Sequence, residues 1–97
     1  MDVAPAVDSL LRAGPGRRLL VRGILAATSQ LVRDAAYPRK RDAMRRMMRE
    51  RQRMLGELAR DLHGEGSTRC LDALVAAMAE SDRTFGQLLD GVTTTSQ

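Results

Sequence analysis

Aromatic side chains are almost missing from this 97-residue sequence: Tyr37 and Phe85 are the whole stock, and there is no Trp. Sandwiches and barrels draw on β-branched and aromatic residues for their strands. A core of Leu, Val, Ala and Met points instead to helix-on-helix packing. Cysteine is scarce too. Cys70 stands alone, which excludes an internal disulfide and suits a reducing compartment. No run approaches the roughly 18 apolar residues that a membrane span needs. The opening residues Met1-Asp2-Val3-Ala4-Pro5 are acidic and lack the apolar core of a secretory signal, so a cytoplasmic location is expected.

Catalytic motifs are lacking as well. There is no Walker loop, no GxGxxG, no HExxH and no Cys/His cluster. His63 is the only histidine, placed where a helix end would use it to satisfy carbonyls. Cys70 reads as a small core residue, and the carboxylates are scattered singly, with no pair set for acid/base work. The sequence therefore predicts a protein that is not an enzyme, with no metal and no cofactor.

Apolar residues make up 43%, enough for one domain near the lower size limit of a self-sufficient core. Gly14-Pro15-Gly16 is a breaker between an N-terminal segment, 1–16, and the rest. Within that segment Val7, Leu10 and Leu11 suggest a short leading helix. Leu20, Val21, Ile24, Leu25, Leu31, Val32 and Ala35 follow helical spacing and predict a helix over 17–36. Tyr37-Pro38 ends it, because the residue before proline is pushed out of the α region, and Pro38 suits the first position of the next helix, 38–63. Gly64-Glu65-Gly66 closes that one. A third helix, 67–90, carries Leu71, Leu74, Val75, Met78, Phe85 and Leu89 on one face, before a tail at 91–97. The expected fold is all-α: three main helices and a short leading one, the last two forming an antiparallel hairpin in a small bundle.

Charge is unevenly spread over the net +4. Residues 39–60 hold nine basic groups against Asp42, Glu50 and Glu57, whereas 61–97 carry a surplus of acids. A basic middle beside an acidic end favours their mutual packing. Arg39, Lys40 and Arg41 fall in the first turn of the middle helix, where cations face the positive end of the macrodipole at about 0.3–1 kcal/mol each. Together with Arg45, Arg49 and Arg53 they form a basic patch. It is either a site for an anionic partner, protein or nucleic acid, or a solvated run screened by salt. Scarce aromatics and the lack of a recognition helix weigh against nucleic acid.

The opposite face of the middle helix holds Met44, Met47, Met48, Met54, Leu55, Leu58 and Leu62 within a sector of about 140°. Methionine is flexible and polarizable, and such a stripe serves either as ordinary core or as an adaptable groove or dimer seam. With Arg51 on the same face and Met78 and Phe85 from the third helix, it is the expected partner-binding surface. Arg51 and Asp82 interrupt the two stripes. A hairpin turning near residue 65 brings them within about one helical turn, so an interhelical ion pair is expected, because an unpaired charge on an apolar face is costly.

The order of these features resembles the flagellar export chaperones of the FliT type, small helical proteins that shield a secretion substrate. Ile24-Leu25-Ala26-Ala27-Thr28-Ser29-Gln30-Leu31-Val32 is similar to their opening amphipathic helix. Asp42-Ala43-Met44 and Arg51-Gln52-Arg53-Met54-Leu55 resemble their second helix, and 74–89, with Glu80-Ser81-Asp82, their C-terminal one. Tyr37-Pro38 in the first break and the basic balance depart from that pattern. The resemblance implies a groove for the filament-cap protein, with the last helix controlling access. A second likeness is to TraM-type helical antiactivators, which occlude a transcription factor. The function expected is a protein-binding module, a chaperone or regulator, that homodimerises to share its apolar stripes; the rival is a nucleic-acid-associated regulator using the basic patch.

Overall fold

Gly14 takes φ 132°, a backbone region that side chains other than hydrogen rarely enter. That turn delivers Pro15 to the first position of a helix, where its fixed φ is already helical. The first helix, α1, accordingly spans Pro15–Asp34, and its opening bond runs from the Arg18 N–H to the Gly14 carbonyl at 2.9 Å. It begins two residues before the expected start at 17, because Gly-Pro-Gly acts as its cap as well as a breaker. The computed structural model describes Asp8, Leu10, Arg12 and residues 14–63 and 69–90. Of the leading helix, Asp8 and Leu10 are helical and the Arg12 N–H reaches the Asp8 carbonyl at 3.2 Å. The remainder of that segment, the Gly64–Gly66 turn and the tail lie outside the described residues.

At its other end α1 closes with Tyr37 extended, at φ −122° and ψ 108°, as the residue before a proline must be. Pro38–Lys40 then form one 3-10 turn that feeds the second helix, α2, Arg41–His63. The expected continuous helix from 38 thus starts with a tighter turn, a common way to open an α-helix. The third helix, α3, is Arg69–Asp90. The described residues form an all-α bundle of three helices, without a strand.

Cross-helix contacts set the topology. Arg17 pairs with Asp61, so the start of α1 lies beside the end of α2 and the two run antiparallel. Gly23 lets them approach closely, since a Cβ built there would sit 2.6 Å from the Met54 sulfur. Arg51 meets Asp82, and Arg45 Nη2 donates to the Leu89 carbonyl at 2.6 Å, which makes α2 and α3 antiparallel. The bundle is a rod of 48 × 23 × 20 Å.

Its apolar interior is in two parts. One cluster joins Leu10, Val21, Ile24, Leu58, Leu62, Leu71, Leu74 and Met78; the other joins Leu31, Met44 and Phe85, flanked by Met47, Met48 and Leu89. Arg51 lies between them. No described helix is long and apolar enough to cross a membrane.

Candidate functional site

Arg51 is 2% exposed in the centre of the rod. Its Nη2 donates to Asp82 Oδ1 at 2.7 Å and its Nη1 to Thr28 Oγ1 at 2.9 Å. The Thr28 hydroxyl gives its single proton to the Ile24 carbonyl, 2.9 Å away, which leaves its lone pairs to the guanidinium. The sulfurs of Met48 and Met78 approach Arg51 at 3.5 and 3.7 Å as weak acceptors. Each helix therefore contributes one polar residue to a layer across the core. The layer is asymmetric, because the Asp82 side chain keeps 35% of its surface exposed while Arg51 keeps 3%. Sequence reasoning missed Thr28, although it interrupts the α1 stripe as Arg51 and Asp82 interrupt theirs.

The expected Met/Leu surface needs correction. Met44, Leu58, Leu62, Met78 and Phe85 are buried in the chain's own core. Met47, Met48, Met54 and Leu55 are half-buried and packed against it. A three-helix arrangement has α1 as well as α3 to cover α2, so most of that stripe is consumed internally. Arg51 likewise faces inward rather than towards a ligand.

What stays open lies between α2 and α3. Leu55, Ala59, Leu71, Val75 and Met78 line a groove of about 260 Å³, together with Gln52, Gly56 and Asp82. Val75 is 46% exposed on its rim. Gly56 is in the interior of α2, where glycine costs about 1 kcal/mol relative to alanine, yet a Cβ there would meet nothing within 4 Å. The volume is below the roughly 300–1,000 Å³ of small-molecule pockets, and the lining suits a few apolar side chains.

The basic patch divides in two. Arg45 is engaged by Asp42 and by the end of α3, and Arg53 is held between Glu50 and Glu57. The hydrogen bond from Arg53 holds the Glu50 carboxyl below its usual range, helped by Coulombic attraction, and Glu50 raises the Arg53 guanidinium in turn. Arg39, Lys40, Arg46 and Arg49 are exposed, and Arg41 is half-buried. Mutual packing of the basic middle and acidic end is limited among the described residues to the Arg51–Asp82 ion pair and the hydrogen bond from Arg45 to the Leu89 carbonyl.

His63 is exposed, and Cys70 is a free, half-buried thiol beside the first core cluster. Among the described residues no group of three or more His, Cys, Asp or Glu side chains is placed to hold a metal. Asp34, another residue the sequence did not flag, is buried at the end of α1 and accepts from Gln30 Nε2 at 2.9 Å. Comparison with protein-family models, curated proteins and solved structures finds no match for this chain.

Proposed function

We propose that this chain is a non-enzymatic protein-binding module that holds a partner segment in the groove between α2 and α3. The observation that carries this reading is Gly56: a helix-weakening residue stands where a larger side chain would fit the fold and fill the groove. Apolar walls with one carboxylate suit an amphipathic helix or extended peptide laid along the hairpin. The resemblance to FliT-type export chaperones supports a secretion substrate as the occupant and the cytoplasm as the place. An antiactivator holding a transcription factor would use the same groove. Self-association through it is part of the proposal, since a short chain gains stability by sharing apolar surface.

The test begins with a photo-crosslinking amino acid at Val75 in the native host, which names the occupant. Calorimetry with the purified occupant then compares the chain with Gly56→Leu. The variant is expected to melt higher, through helix propensity, while binding at least tenfold more weakly. Undiminished binding by a folded Gly56→Leu protein rejects the groove as the site.

A further inference from the structure

We propose that the end of the bundle around the α1–α2 connection is a second binding surface, which takes the backbone of a single-stranded nucleic acid and stacks one base on Tyr37. This goes beyond the protein-binding reading and uses different residues. Three observations carry it. The first is the charge balance of residues 39–49: their one acid, Asp42, is engaged by Arg45. Arg39, Lys40, Arg41, Arg46 and Arg49 are left without an acidic partner among the described residues. They are spread over a length of about 15 Å at helical rise.

The second observation is where these cations stand. Arg39, Lys40 and Arg41 crowd the positive end of the α2 macrodipole, an unfavourable place for them unless an external anion offsets the field. The third is Tyr37, the one exposed aromatic among the described residues, at 52% exposure; Phe85 is buried. The Arg39 guanidinium lies 5.7 Å from the Tyr37 ring centroid. An aromatic ring layered with an arginine, next to cations without acidic partners, is a pairing by which proteins hold unpaired bases and their phosphates. An acidic peptide satisfies the arginines but offers no base to the ring. A duplex offers phosphates but keeps its bases stacked.

The test uses the full chain and a fluorescein-labelled oligothymidylate of about 15 nucleotides, read by anisotropy, with a polyglutamate peptide of similar length and a duplex as comparators. About four phosphate contacts at about 0.7 each give a log–log salt slope near −3, hence about 50-fold weaker binding between about 50 and about 200 mM salt. Arg46→Glu with Arg49→Glu is expected to halve that slope. Tyr37→Ala is expected to weaken single-strand binding about tenfold with the slope unchanged. Tyr37→Trp gives the chain a single indole; it should keep the affinity, and the indole emission should be quenched at saturation with unlabelled oligothymidylate. Circular dichroism melts confirm that each variant folds. Absence of saturable binding near about 50 mM salt, polyglutamate or duplex binding as tight as the oligonucleotide, or indole emission of the Tyr37→Trp protein unmoved by the oligonucleotide each overturn the proposal.

Discussion

Arg51 and Asp82 differ in what each loses when the other is removed. Asp82→Leu strands a guanidinium that is 3% exposed, leaving it Thr28 and two sulfurs. Arg51→Met strands a carboxylate that water already reaches. We expect losses of about 3 kcal/mol for the first and about 1 kcal/mol for the second, within the range for partly and fully buried pairs. The double variant should recover most of the loss, because apolar residues of similar volume often replace a buried pair. Urea denaturation of the four proteins gives the coupling, and a value below about 0.3 kcal/mol means that the pair contributes nothing. Gly23 acts by size: Gly23→Val obliges the Met54 thioether to move, and because that is the far end of a flexible side chain the cost in the same assay should be no more than about 1 kcal/mol, the low end of overpacking penalties.

The helices are set by their ends. At the start of α1 Gly14 holds a positive φ that alanine adopts only under strain, so Gly14→Ala should lose about 1–2 kcal/mol although nothing crowds the site. Calorimetry showing an unchanged melting temperature would mean that the α1 start shifts instead of straining. At the start of α2 the cations oppose the dipole. Replacing Arg39, Lys40 and Arg41 with Glu should stabilise the helix by about 1 kcal/mol and raise the melting temperature by about 4–8 °C. A lower melting temperature would show that those cations serve the fold. The α3 end has the opposite solution, with Arg45 reaching across from α2 to the Leu89 carbonyl.

As a whole the molecule is long for its size. Its radius of gyration is 14.6 Å, against about 12–13 Å for a compact chain of this length. A rod with two small core clusters and an open groove has apolar surface to share, and exposed Leu19, Val32 and Val75 add to it. Sedimentation equilibrium is therefore expected to find a dimer at micromolar concentration. A clean monomer across that range would remove self-association from the proposed function and leave the groove for a different protein.

Much of the architecture is legible in one dimension because it depends on local chemistry. Gly14-Pro15, Tyr37-Pro38 and the 3.6-residue stripes mark helices whose ends fall within a few residues of those observed, and the stripe interruptions at Arg51 and Asp82 mark a pair that meets at 2.7 Å. These signals survive because proline, glycine and a charge on an apolar face impose the same constraint in any helical context. Which apolar residues remain on the surface is different. A stripe at helical spacing shows that a face is covered, whereas the placement of α1 against α2 decides that Met44, Leu58 and Leu62 are covered from within the chain. Likewise, only the packing of α3 against α2 leaves the space beside Gly56, and only proximity across the fold shows that Arg45 reaches the Leu89 carbonyl, whereas the pairing of Arg53 with Glu50 and Glu57 is local to α2. Burial, and contact between groups on different helices, are relations between segments distant in sequence, so the tertiary structure decides them.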